Sequence, residues 1–284
     1  MKALGWGLTG VLGGAVVALA AFAPAAWLAR AMANATAERL LLADARGTVW
    51  RGSAVVVLTG GAGSRDASAL PGRLSWTLGL DGAALALRAR HACCIADELR
   101  LRVVPRLARL RLELLPAGSG GATPGGASPG GAARTIGHWP ASWLAGLGTP
   151  WNTLQPVGTL LFRSPGMQLE QVQGRWRFTG GAEFELAEMA SQVSTLAVLG
   201  SYRLTISGAD AAGGEPSGAA NIQLSTISGA LQLQGSGSLL GGASGSRLRF
   251  TGQASAAAGS EAVLSNLLNI IGRRQGAVSV ITIG

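Results

Sequence analysis

Leu99, Leu101 and Val103 alternate with Arg100 and Arg102, and this two-residue rhythm returns along most of the chain. Leu85 and Leu87 alternate with Ala86 and Arg88, and Leu110, Leu112 and Leu114 with Arg109, Arg111 and Glu113. Trp176 and Phe178 alternate with Arg175 and Arg177, and Tyr202, Leu204 and Ile206 with Arg203, Thr205 and Ser207. Leu231 and Leu233 alternate with Gln232 and Gln234, and Leu248 and Phe250 with Arg247 and Arg249. Successive side chains of a β-strand point to opposite faces, so a period of two gives each strand an apolar and a polar side. Sheets with one face in solvent, or against a partner, are characteristically antiparallel. The 44 glycines and the aromatic content of 5% suit strands joined by frequent turns. The expected fold is mainly β: an elongated, twisted antiparallel sheet with one or two short helices.

Two segments break the rhythm. Leu264, Leu267, Leu268 and Ile271 follow helical spacing, with Ser260 placed to cap the start and Gly272 to end it. Asn34 to Leu42 reads as a second short helix, with Asn34 or Thr36 as its cap. The stretch from Arg46 to Ala54 reads as a short strand entered at Gly47 and broken or bulged at Gly52. A last strand is expected from Ala277 to Ile283.

The N-terminus sets the compartment. Residues 3–29 carry no charge and are apolar apart from Thr9. That is longer than the roughly 20 residues needed to span a bilayer. Arg30, Arg39 and Arg46 follow the segment and Lys2 precedes it, so the flanking charges do not fix its direction. A flank of two residues cannot hold a domain, which favours an N-terminus in the cytoplasm and a domain in the periplasm. The alternative is a cleaved signal peptide ending at Ala21-Phe22-Ala23, but its apolar stretch exceeds the usual length. The expected organisation is a cytoplasmic N-terminus and transmembrane signal-anchor in residues 1–30. A periplasmic β-rich first half follows in 31–116, then a Gly/Pro/Ser-rich linker or loop in 117–133, then a β-rich second half in 134–284. Lipid contact is expected through residues 3–29.

The same sequence excludes several kinds of chemistry. The net charge is +9, yet every cationic side chain except Lys2 is Arg. These arginines are spread over alternating strands and are not clustered with stacking aromatics, so no nucleic acid is expected. A Walker A loop ends in Gly-Lys-Ser/Thr, and no Lys follows Lys2, so no nucleotide site is expected. Gly5, Gly7 and Gly10 satisfy a dinucleotide-loop spacing, but no strand precedes them. Gly10 and Gly14 form a G-x-x-x-G pair of the kind that lets membrane helices approach. Gly126, Ser128 and Gly130 match the nucleophile-elbow pattern inside the linker, without its strand and helix. His91 and His138 stand far apart in sequence. No catalytic, cofactor-binding or metal residues are assigned, no cofactor is expected, and the chain reads as a non-enzyme.

Cys93 and Cys94 are the only cysteines. In a regular strand their side chains would diverge, but the pair falls between the strands read at Leu85–Arg90 and Leu99–Val104. A vicinal disulfide, two thiols and intermolecular pairing all remain open. An internal echo is also present: Thr153-Leu154 with Gly158-Thr159, and Thr195-Leu196 with Gly200-Ser201, lie 42 residues apart. A repeated strand–turn unit would produce it.

Several strings resemble the type II secretion system protein N family. They are Gly47-Thr48-Val49-Trp50-Arg51-Gly52-Ser53-Ala54, Trp151-Asn152-Thr153-Leu154-Gln155-Pro156-Val157-Gly158, Ser194 to Leu204, Leu224 to Leu231, and Leu267 to Arg274. Ala197-Val198 replaces a Pro-containing step of the family pattern. The resemblance implies a single-pass inner-membrane subunit, mostly β, that assists export of folded periplasmic proteins across the outer membrane through contacts with other secretion subunits. The competing reading is an AsmA-like periplasmic lipid-binding or lipid-transport protein. Such proteins also pair one N-terminal span with a Gly-x-apolar-Trp-x-Gly stretch, which Gly47 to Gly52 satisfies.

Overall fold

The computed structural model describes residues 14, 18, 19, 21–106, 109–115, 133–172, 175–208, 219–242 and 245–284. Its strands are β1 (Leu40–Gly47), β2 (Arg51–Thr59), β3 (Ala67–Ala69), β4 (Leu74–Asp81), β5 (Ala84–His91), β6 (Leu99–Arg106), β7 (Arg109–Leu115) and β8 (Arg134–Pro140). They continue as β9 (Pro156–Val172), β10 (Arg175–Ser191), β11 (Gly200–Gly208), β12 (Ala219–Gly229), β13 (Leu231–Gly242), β14 (Gly245–Ala256), β15 (Arg273–Gln275) and β16 (Val278–Ile283). All sixteen join one open sheet, in which β3 pairs only β2 and β8 pairs only β9. Each strand pairs antiparallel with its neighbours, largely in sequence order. β7 pairs directly with β9, with Leu112 opposite Leu169, so the sheet runs on across the compositional break at 117–133. That stretch lies outside the described residues, apart from Ala133.

The alternation becomes two faces. Leu87 lies opposite Leu101, Leu101 opposite Leu114, and Leu114 opposite Met167, an unbroken apolar row across three strand pairings. On the other face Arg102 lies opposite Glu113, and Arg111 opposite Glu170. Register is pinned because a one-residue slip would turn the whole apolar set outward.

The apolar face carries three buried clusters. At the N-terminal end Leu42, Ala54, Val56, Leu70, Trp76 and Cys94 pack beneath α1 (Ala25–Ala35) and the 3-10 helix Ala141–Leu147. At the C-terminal end Leu199, Tyr202, Leu231 and Ala254 pack beneath α3 (Glu261–Ile271), whose Leu264, Leu267 and Leu268 are fully buried. Between them lie Leu114, Ile136, Phe162 and Ala182. The short helix α2 (Trp151–Leu154) puts Leu154 into the C-terminal cluster.

Four local expectations need correction. The helix expected at Asn34–Leu42 lies earlier in the chain, as α1, and Leu40–Leu42 already belong to β1. The Thr36 hydroxyl donates to the Met32 carbonyl at 2.9 Å and accepts the Leu40 N–H at 3.2 Å, so Thr36 closes a helix and does not open one. Ala37 and Glu38 then turn the chain at positive φ. Secondly, the stretch expected as one short strand is a tight hairpin: Thr48–Trp50 turn the chain between β1 and β2, and Gly52, opposite Gly47, is paired within β2 and does not break it. Gly47 sits at φ +87; the Thr48 N–H donates to the Arg51 carbonyl at 2.8 Å, and the Arg51 N–H donates back to the Thr48 hydroxyl at 3.1 Å. A side chain on Gly52 would strike the Trp76 ring at 2.5 Å. Thirdly, α3 begins after Ser260 and ends before Gly272 as expected, but Ser260 makes no side-chain cap bond.

The fourth correction concerns the apolar N-terminal segment. Pro24, extended at φ −68 and ψ 146, starts α1 and forms a bridge with Thr48. Ala25 is buried, and Leu28, Ala29 and Met32 pack against the same cluster. The final stretch of the uncharged run therefore belongs to the sheet domain. Among the described residues no helix is long and apolar enough to cross a membrane. Residues 1–13, 15–17 and 20 lie outside them, and with them the Gly5–Gly10 spacing and one half of the Gly10/Gly14 pair.

Tyr202 is the only tyrosine in the chain, which makes it a clean probe of this core. Its hydroxyl donates to the Leu231 carbonyl at 3.0 Å, and burial raises its pKa well above the ordinary phenol value. The folded state holds the phenolic proton more tightly than the unfolded chain does. Stability is therefore complete below pH about 10 and falls above it, by about 1.4 kcal/mol per pH unit. Tyrosinate absorbance is expected to rise only together with loss of β-sheet circular dichroism. Tyr202→Phe should cost about 1 kcal/mol in denaturant unfolding and uncouple the alkaline transition from this residue.

Candidate functional site

The apolar face is the first candidate. Phe162 and Phe184, on β9 and β10, stack with ring centroids 4.7 Å apart, and Trp139 from β8 approaches Phe162 at 6.5 Å. Leu99, Leu101, Met167 and Ile206 surround them half-buried. Towards the far edge, Phe250 lies across glycines: a side chain on Gly235 would meet its ring at 2.5 Å. Its neighbours Leu248 and Ile283 are 37% and 49% exposed. A shallow groove of about 560 Å³ over β12, β13 and β14 is lined mainly by the polar-face residues Asn221, Gln223, Ser236, Ser238, Arg249 and Thr251, and so is separate from this apolar surface. Long apolar side chains on a continuous sheet face can bind another apolar surface without any chemical step.

The polar face is held by a ladder of ion pairs. Glu98 sits between Arg90 and Arg100 at 2.8 Å each. Arg111 joins Glu170 at 3.2 Å, and Arg163 joins Glu185 at 2.8 Å and Glu183 at 3.4 Å. Arg203 meets the same two carboxylates. Burial works against ionisation of Glu98, but hydrogen bonds from the Arg100 and Arg90 guanidinium groups outweigh it and hold its pKa below the usual value. Many of the arginines that make the chain basic are thus committed to carboxylates on neighbouring strands.

The second candidate is the turn between β5 and β6. His91 occupies an apolar-face position, in line with Leu85, Leu87 and Ala89, and is 4% exposed. Neither ring nitrogen has a hydrogen-bond partner among the described residues. Burial alone lowers its pKa, favouring the neutral imidazole. Cys93 and Cys94 follow in the turn and form a vicinal disulfide. Cys94 is 1% exposed, while Cys93 is half-buried. The sulfur atoms and an imidazole nitrogen lie within 4.8 Å of one another.

β8 braces this turn. The His138 N–H donates to the Cys94 carbonyl at 2.9 Å, the Ala96 N–H donates to the Ile136 carbonyl at 3.0 Å, and Ile95 bridges Gly137. Gly137 is required there: a Cβ would lie inside contact distance of the Cys94 carbonyl. The structure therefore brings the backbone of His138, distant in sequence, onto the turn that carries His91, Cys93 and Cys94. The only local signal for the cluster is the spacing His91-x-Cys93-Cys94.

Other sequence features fall into place. The two copies of the internal echo share a positive-φ glycine, Gly158 at φ +133 near the start of β9 and Gly200 at φ +157 opening β11, but the first follows the short helix α2 and the second a non-helical turn. The Gly126-x-Ser128-x-Gly130 match lies outside the described residues. Against known families, the chain from residue 38 to residue 281 matches the family model described as type II secretion system (T2SS), protein N. No curated protein and no solved structure matches it.

Proposed function

The chain belongs to the type II secretion system protein N family, and from that premise we propose that it is an accessory inner-membrane subunit of the secretion system. In this reading residues 3–22 anchor the chain in the inner membrane with the N-terminus in the cytoplasm. At 1.5 Å per residue such a helix reaches about 30 Å, the thickness of the hydrocarbon core. The docking of Pro24 and α1 onto β1 and β2 then seats the sheet against the periplasmic membrane surface. The domain acts there by contact with other secretion subunits and catalyses no reaction. The family match over residues 38–281 carries this proposal, and the long one-sided sheet supports a docking role.

Deleting the gene from a secreting strain tests it. Exoprotein should disappear from the medium and accumulate in the periplasm, and a plasmid copy should restore export. Unchanged export would count against the role. A lipid-carrying role, as in AsmA-like proteins, would use the same apolar face; phospholipid co-purifying with the chain would favour it.

A further inference from the structure

The geometry points to a redox-gated metal site at the β5–β6 turn, in which reduced Cys93 and Cys94, together with His91, bind one divalent thiophilic cation such as Zn(II). The first support is the orphaned imidazole. A neutral ring carries one donor and one acceptor, and in His91 both are buried without a partner among the described residues, which is unfavourable. An unsatisfied buried group of this kind calls for a ligand or a chemical role. His91 has such a neighbour in the two sulfurs, within 4.8 Å.

The second support is the turn itself. In a strand Cys93 and Cys94 would face opposite ways. Here both sulfurs lie on one side, close enough to be bonded, with His91 beside them. Zinc binds thiolate at about 2.3 Å and imidazole at about 2.0–2.1 Å, which places tetrahedral ligand atoms roughly 3.5–3.8 Å apart. Once the S–S bond is reduced, the three ligand atoms already lie within 4.8 Å of one another, close to that spacing. Two thiolates and a neutral imidazole around a divalent cation sum to zero charge, the total that a buried corner tolerates best. The half-buried side of Cys93 leaves a path for a fourth ligand, such as water, and for a reductant.

The oxidised form excludes the metal, because both sulfurs are spent on each other. A dithiol opens the site by exchange: its two sulfurs lose two protons and two electrons and join in their own disulfide, and Cys93 and Cys94 become thiols. The incoming cation then displaces one proton from each thiol and takes the lone pair of His91.

The test uses the full chain in detergent, reduced with a phosphine and desalted without oxygen. The phosphine takes oxygen from water and becomes its oxide, leaving two thiols per chain. Reduced protein should take up one Co(II), with thiolate charge-transfer and tetrahedral d–d bands, and Zn(II) should displace it and raise the melting temperature. Oxidised protein should take up none. His91→Leu should keep two titratable thiols, melt no lower than wild type when oxidised, and lose the tetrahedral bands. Cys93→Ser should lose the charge-transfer band. The proposal is overturned if the folded chain releases no thiols to phosphine. It is equally overturned if the reduced wild type shows no Co(II) bands, or if His91→Leu binds Co(II) with the wild-type spectrum and affinity.

Discussion

Trp76→Ala is expected to lower the stability of the domain by about 3–5 kcal/mol, the range for removing a buried large aromatic side chain. Trp76 is 4% exposed, at the centre of the N-terminal cluster. Its ring lies on Gly52, and its Nε1–H donates to the Val49 carbonyl at 3.0 Å. Truncation therefore opens a cavity and also strips a carbonyl at the β1–β2 hairpin of its donor. The cavity cannot simply collapse, because Gly52 brings no side chain to fill it. Urea unfolding followed by circular dichroism measures the loss. A shift below about 1 kcal/mol would show that the hairpin does not depend on this ring. Trp76→Phe should recover much of the packing but not the hydrogen bond.

The second large effect is expected at the opposite end of the sheet. Leu268→Ala should cost about 2–5 kcal/mol, as large-to-small changes in sealed sites do. Leu264, Leu267 and Leu268 are each at most 1% exposed and are the side chains by which α3 grips the sheet. The helix lacks a side-chain cap at Ser260, so packing must hold it in place. The Ser279 hydroxyl on β16 donates to the Leu268 carbonyl at 2.7 Å, tying the last strand to the same residue. Leu268→Ala should therefore raise amide exchange in α3 and in β16 together. Exchange confined to α3 would mean that the strand is held by its pairing with β14 and β15 alone.

Much of the sheet was legible in the sequence because alternation is a local signal. Leu85–Leu87, Leu99–Val103, Leu110–Leu114 and Tyr202–Ile206 each announce a strand and its buried side, and pairing in sequence order follows from short turns. The position of α1 was not legible, because Ala25–Ala35 continues an apolar run with no polar cap at its start. Pro24 was the available clue, since its fixed φ suits a helix entrance. The hairpin at Thr48–Trp50 was misread because its apolar and aromatic residues resemble a strand, while the turn depends on the Thr48 N–H bonding the Arg51 carbonyl and the Thr48 hydroxyl accepting from the Arg51 N–H. The cysteine corner was the least legible. Its surroundings depend on β8 returning from beyond the 117–133 stretch to brace residues 94–96, and no local pattern encodes that.

Membership in the secretion family and the one-sided sheet together make contact with secretion subunits the central claim. The most direct measurement is in-cell photocrosslinking from Leu248 and Ile283, at the exposed end of the apolar face, in a strain that is actively secreting. Mass spectrometry of the adducts should identify other inner-membrane or periplasmic secretion subunits, and the adducts should vanish when the rest of the secretion apparatus is deleted. Adducts to phospholipid alone, unchanged by that deletion, would contradict the account.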